Sequence, residues 1–150
     1  MSRFTPSSMG MLIPTDDPAA LYVCSGTDAA GFKRLPLAAM GGNAMSATLT
    51  PKGTLIVVGA RGGILRSTDS GATFAKVSSG VSGLLCMVDC FADGRVLAVG
   101  DAGTVLLSED DGASFTRVNQ MHTLDTLWCC RRHGDAMLLG GGQGIVMRMV

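Results

Sequence analysis

Three side chains near the C-terminus are of types that can bind a metal ion: Cys129, Cys130 and His133. Thiolate and imidazole groups are common zinc ligands, and a structural zinc site needs four ligands in a tetrahedron. The five cysteines are an odd number without C-x-x-C spacing, and most stand in apolar runs. The sequence therefore predicts no metal site, and we interpret all five cysteines as reduced thiols in or near the core.

Two further signals resemble parts of enzyme sites. The segment Gly140–Gly144 is glycine-rich, but it aligns with glycines at 59 and 100, and no helix-forming segment follows it to present a phosphate site. His122 and His133 lack a paired nucleophile motif of the kind that hydrolases use. We therefore expect no catalytic residue and no cofactor.

The most informative pattern is an eight-residue box that occurs twice, 41 residues apart (108 − 67 = 41). Asp and Ser side chains bond nearby backbone amides in tight turns, and Gly adopts a positive φ angle without steric cost. The box therefore predicts a structural turn between two strands, with its final aromatic ring buried and Phe32 in the same layer of an earlier repeat. The box positions are Ser67, Asp69, Gly71, Thr73 and Phe74 in the first copy, and Ser108, Asp110, Gly112, Ser114 and Phe115 in the second.

This box resembles the Asp-box, S-x-D-x-G-x-[TS]-[FW], of propeller blades in sialidases, sortilin-like receptors and photosystem II assembly factors. The resemblance implies a β-propeller whose boxes are structural turns at the blade periphery. A sialidase would also need an arginine cluster, a Tyr with a Glu partner and an acidic acid/base. The only Tyr is Tyr22 and the only Glu is Glu109, inside a box. A glycoside hydrolase is therefore the least favoured interpretation, and we expect a protein without enzymatic activity.

Each repeat also contains segments with strand patterns. An apolar run opens the repeat, an apolar strand and a Gly-containing hairpin follow, and a short strand with exposed basic residues comes after each box. The opening runs lack alternation, so we expect them to be covered on both faces. The opening runs are 44–49, 84–91 and 124–130, the next strands are 54–59, 95–100 and 136–141, the third strands are 64–67, 105–108 and 145–149, and the basic strands are 32–35, 74–77 and 115–118.

A period near 40 residues with four strands indicates the blade of a propeller. We predict an all-β fold of about four four-stranded antiparallel blades, in one domain over 1–150. The repeats are approximately 1–35, 44–77, 84–118 and 124–150. The last repeat stops before its box, so a strand near Phe4 is expected to pair with 145–149, either of the same chain or of another chain in a larger ring.

Charge and composition limit the classes of partner that we expect for this chain. Lys plus Arg equal Asp plus Glu at 12 each, which argues against nucleic acid. No signal peptide or membrane-spanning run stands out, so we expect a cytoplasmic or virion location without membrane insertion. The 47% hydrophobic content and ten Met residues favour contacts with other chains. We expect a structural or assembly protein that binds itself or other proteins, for example a virus capsid or tail subunit; the alternative is a protein- or glycan-binding module.

Overall fold

The computed structural model describes residues 9–16, 19–25, 32–119 and 123–150. Within these ranges the strands form four antiparallel sheets, and short 3₁₀ turns join them. The first sheet contains β1 (Met9–Asp16), β2 (Ala19–Ser25) and β3 (Phe32–Pro36); the second contains β4 (Ala44–Leu49), β5 (Leu55–Gly59), β6 (Ile64–Ser67) and β7 (Ala75–Val77); the third contains β8 (Leu85–Cys90), β9 (Val96–Gly100), β10 (Val105–Ser108) and β11 (Thr116–Arg117); the fourth contains β12 (Leu127–His133), β13 (Ala136–Gly141) and β14 (Val146–Met149). The 3₁₀ turns are Ala38–Met40, Ala60–Gly62, Asp101–Gly103 and Gly142–Gly144.

The predicted propeller blades are present. The second and third sheets have four strands in chain order, with the box between the third and fourth. The first and fourth sheets have three strands each within the described residues. The predicted strand near Phe4 falls outside the described residues, as do residues 26–31 between the second and third strands of the first sheet. How the ring closes therefore stays a prediction.

The sheets stack face to face in chain order, and a separate hydrophobic core fills each gap. Leu21 of the first sheet packs with Leu55 of the second. The second and third sheets enclose another cluster, and the third and fourth sheets enclose the last, which contains Leu97 and Met137. No core cluster among the described residues joins the fourth sheet to the first. The described fold is thus an arc of four blades with two ends.

The second strand of each middle sheet is the centre of this packing. Every residue of β5 and of β9 is buried. Within β5, Leu55 and Val57 face the first sheet, while Ile56 and Val58 face the third. A β-strand covered on both faces can be apolar throughout, which explains the run of β-branched and Leu residues.

The expectation that both faces of the opening strands would be covered is confirmed for β8, which has no exposed residue and packs against both the second and the fourth sheets. The other two opening runs differ from it. Burial alternates along β4, and most of β12 is exposed. Each opening strand lies at the edge of its sheet and carries a bulge, which in β4 falls between Ala44 and Ser46. The bulged residue of β4, Met45, is 43% exposed, whereas the bulged residue of β8, Cys86, is buried.

The aromatic layer predicted from the boxes is only partly correct. Phe74 and Phe115 are half-buried and pack at the margins of the first and second cores. Phe32 is 45% exposed, so placing it in the same layer was wrong. Leu35 of β3 faces the second sheet, so Phe32, three residues earlier, lies on the opposite side of the first sheet, where no described sheet packs.

No disulfide joins the five cysteines, all of which lie in the described ranges, and four of them are buried: Cys24, Cys86, Cys90 and Cys130. Cys129 is exposed, which corrects its assignment to the core. Its neighbour Cys130 faces the third sheet, so Cys129 lies on the opposite side of β12, where no described sheet follows.

Candidate functional site

The first box folds as the tight turn that its residue types predict. The Asp69 carboxylate accepts hydrogen bonds from the Ser67 hydroxyl (2.7 Å), the Thr73 amide (2.9 Å) and the Thr73 hydroxyl (2.5 Å). The Gly71 amide donates to the Ser67 oxygen at 2.8 Å. The charged form of Asp69 thus accepts three bonds, and these bonds, above all the one from the Thr73 hydroxyl, lower its pKa from 3.8 to about 2.

The second box repeats this network. Asp110 accepts from the Ser108 hydroxyl (2.8 Å), the Ser114 amide (2.9 Å) and the Ser114 hydroxyl (2.5 Å), and the Gly112 amide donates to Ser108. The Ser114 hydroxyl is the main cause that lowers the pKa of Asp110 to about 2. Both carboxylates are therefore occupied by hydrogen bonds within their own turns.

The boxes also hold neighbouring sheets together, a role that sequence reasoning missed. Gly112 of the third sheet has φ +79°, and a Cβ there would lie 2.2 Å from Cδ1 of Ile56 in the second sheet. A Cβ on Gly71 would lie 2.3 Å from Cδ1 of Leu35 in the first sheet. Each box glycine thus lies directly on an apolar side chain of the preceding sheet. The recurrence of Gly at the same box position is the sequence feature that could have predicted this contact.

A polar contact supports the packing of the second box. The Arg66 Nε donates to the Asp111 backbone oxygen at 2.9 Å, and its guanidinium lies 3.4 Å from the Asp111 carboxylate. The Thr54 hydroxyl donates to the same carboxylate. Arg66 lies in β6 and Thr54 directly precedes β5 of the second sheet, whereas Asp111 lies in the turn between β10 and β11 of the third, so this triad links the two sheets.

A groove runs along the outer margin between the second and third sheets. It comprises two adjoining pockets of about 640 and 400 Å³ that share residues 77–81. One end is lined by Arg61 and Lys76, and the other by Phe115 and Arg117. Its floor is the linker 78–82, which contains three serines and Gly80.

The linker is held in place by its neighbours rather than by regular structure. The Gly62 amide donates to the Gly83 oxygen at 2.7 Å, and the Val81 amide donates to the Ser79 hydroxyl at 3.3 Å. Gly62 has φ +65°, and a Cβ there would lie 2.0 Å from the Val81 oxygen. The turn that carries Arg61 is therefore fixed against the floor of the groove.

The charged side chains that line the groove are all positive. Arg61, Lys76 and Arg117 are exposed, and none of them forms an ion pair with a described residue. Neither pocket is lined by an Asp or Glu. A groove with three unpaired cations and several hydroxyl groups is suited to a ligand with negative charges and backbone hydrogen-bonding groups.

The predicted box residues do not form one site. The two boxes stand in different sheets, and of the second box Ala113, Ser114 and Phe115 line the groove. The groove residues Lys76 and Arg117 were interpreted from the sequence only as exposed charges on outer strands. Among the described residues, no three metal-ligating side chains cluster. No described helix is long and apolar enough to cross a membrane.

No protein-family model and no curated protein matches the chain. Among solved structures, the chain is similar to "YCF48 bound to D1 peptide", with 12% identity and a TM-score of 0.66; the match covers 100% of this chain and 52% of the other. It is also similar to YCF48 from Cyanidioschyzon merolae, with 16% identity, a TM-score of 0.48 and coverage of 99% and 71%. The first similarity shows a propeller fold, and the chain spans about half the length of that propeller.

Proposed function

We propose that this chain is a non-enzymatic, protein-binding propeller module that holds an extended acidic segment of a partner protein in the groove between its second and third sheets. The observation that carries the proposal is the set of exposed cations, Arg61, Lys76 and Arg117, around a groove that no carboxylate lines. Acidic side chains of a partner would supply the missing negative charge.

The backbone of the groove suits an extended peptide. β7 pairs with β6 on one side, and its other edge has no strand partner among the described residues. A peptide added along such an edge gains main-chain hydrogen bonds, while alternate side chains reach the surface on either side. Along this edge, Lys76 and the serine hydroxyls of the linker lie within reach of those side chains.

The similarity to a known propeller supports peptide binding as a class of function. YCF48, which this chain matches over 52% of the YCF48 chain, has been solved bound to a D1 peptide. A propeller of this type can therefore hold a peptide, whereas a virus capsid or tail subunit gains no support from the similarity. We also propose that the two boxes are Asp-box repeats, since their hydrogen bonds match the roles that the motif assigns to each residue.

A fluorescence-anisotropy titration tests the proposal. The probe is a labelled peptide with alternating Glu and Val residues, and its counterpart has Gln in place of each Glu. The native chain should bind the acidic peptide more tightly, and added salt should weaken this binding. Lys76→Glu and Arg117→Glu should each weaken it about 5- to 10-fold, since reversing one exposed charge changes an interaction of about 1 kcal/mol.

Lys52→Glu is the matched control, because Lys52 is an exposed cation in the β4–β5 turn that lines neither groove pocket. Its affinity should stay close to that of the native chain. Equal affinity for both peptides, or an equal loss in all three variants, would show that the groove is not the site.

A further inference from the structure

A pocket of about 460 Å³ lies where the opening strands of three sheets end. The last residues of β4, β8 and β12 line it, so the second, third and fourth sheets all contribute. It shares no lining residue with the groove and none with the two boxes. A volume of this size is within the range of small-molecule sites.

The repeat shows that one residue of this pocket departs from the pattern of the other sheets. Arg132 of β12 is equivalent to Cys90 of β8 and to Leu49 of β4. The residues that pair with these three in the second strands are 41 residues apart: Leu55, Val96 and Met137. Leu49 packs against the core between the first and second sheets, and Cys90 belongs to the core between the second and third. The stacking of sheets therefore needs no charge at this position, yet the fourth sheet carries an arginine there.

The side chain of Arg132 lies on the side of β12 that faces the third sheet. Buried Cys130 belongs to the core between these two sheets, and Arg132 follows it by two residues on the same side of the strand. Burial raises the pKa of the Cys90 thiol, and the positive charge of Arg132 is one of the effects that oppose this rise. The guanidinium of Arg132 is thus close to the wall of the pocket that Cys90 forms.

The carboxylate in the lining does not pair with the arginines. Asp89 accepts hydrogen bonds from the backbone amides of Cys90 (2.9 Å) and Arg132 (3.1 Å). Neither Arg131 nor Arg132 forms an ion pair with a described residue. Two arginines and one aspartate leave the lining with one excess positive charge (2 − 1 = 1), next to the apolar surface of Leu49.

We propose that this pocket binds a small organic monocarboxylate, with its carboxylate held by Arg132 and Arg131 and its apolar body against Leu49 and Pro51. A guanidinium donates two parallel hydrogen bonds to a carboxylate, which matches both its charge and its shape. One negative charge balances the excess in the lining, whereas a second one would be repelled by Asp89. The site does not depend on the proposed function of the groove.

A titration followed by two-dimensional amide NMR tests the proposal on the native chain. The probe is butyrate, and its uncharged counterpart is butyramide. Butyrate should shift the amide signals of Asp89, Cys90 and Arg132. Butyramide should bind about 10-fold more weakly, since hydrogen bonds to a charged group are lost. Inorganic phosphate should also bind more weakly than butyrate, because its second charge is repelled by Asp89.

Two variants decide whether Arg132 holds the carboxylate. Arg132→Leu introduces the residue type that β4 has at the equivalent position, so it should keep the native melting temperature but bind butyrate about 10-fold more weakly. Arg148→Leu is the matched control, because Arg148 is an exposed cation of the same sheet that does not line the pocket, and it should keep the native affinity.

Equal affinity for butyrate and butyramide, tighter binding of phosphate, or native affinity in Arg132→Leu would overturn the proposal, as would signal shifts confined to other residues. Arg132→Leu should bind the acidic peptide as tightly as the native chain does, because it leaves the groove unchanged. Failure of this inference is therefore distinguishable from failure of the proposed function.

Discussion

Replacing Gly112 by Ala should destabilise the fold far more than the same change at Gly80. Both glycines have a positive φ angle, +79° and +70°, at which an Ala costs about 1 to 2 kcal/mol. A Cβ at Gly80 would meet no atom within 4 Å, whereas a Cβ at Gly112 would lie 2.2 Å from Cδ1 of Ile56. Relief of that overlap adds about 1 to 3 kcal/mol. We expect a total loss of about 3 kcal/mol for Gly112→Ala and about 1 kcal/mol for Gly80→Ala.

Urea unfolding, followed by circular dichroism, measures both losses. A second change isolates the contact, because Ile56→Val removes the Cδ1 atom that the new Cβ would strike. The double variant Gly112→Ala with Ile56→Val should lose about 1 kcal/mol less than the sum of the two single losses. Equal losses at Gly112 and Gly80, or additive losses in the double variant, would refute the inference that each box holds the preceding sheet.

The boxes and the thiols lead to three more predictions. The folded-state pKa values of Asp69 and Asp110, about 2, lie below the ordinary value of 3.8. Both carboxylates should therefore stabilise the fold above about pH 4 and lose that contribution as the pH falls towards 2. In thermal melts across this range, the melting temperature should fall less in Asp69→Asn and Asp110→Asn than in the native chain. Phe115→Ala should cost about 2 kcal/mol in urea unfolding, below the roughly 3 to 5 of a fully buried ring, because the ring is half-buried, and a loss above about 4 would contradict that burial. Exposed Cys129 should react with maleimide in the folded protein, whereas buried Cys130 should react only after unfolding. Burial raises the pKa of the Cys130 thiol to about 12, which keeps it protonated. Mass spectrometry of the labelled peptides shows which of the two cysteines has reacted.

The repeat made most of the fold predictable. The 41-residue spacing and the apolar second strands predicted the blades, because a strand buried on both faces needs apolar residues at every position. The sequence did not predict which side of a strand is covered by a neighbouring sheet. Phe32 and Cys129 have core-like residue types but lie where no described strand or sheet covers them. Their exposure depends on the ends of the arc, which local patterns do not encode.

The candidate site was less predictable than the fold. The internal bonds of the boxes followed from their residue types, but the contact of Gly112 with Ile56 depends on how two sheets stack. Arg61 and Lys76 belong to the second sheet and Arg117 to the third, so the groove that these residues line forms only where the two sheets stack. Isolated basic residues on outer strands gave no sign of a common surface.

Hydrogen exchange of the native chain with and without the acidic peptide tests the central claim most directly. If the peptide lies along β7 and the linker, its addition should slow exchange of the backbone amides between residues 75 and 83 and leave those of the β4–β5 turn unchanged. Slower exchange confined to other sheets, or no change at saturating peptide, would contradict the assignment of the groove as the binding site.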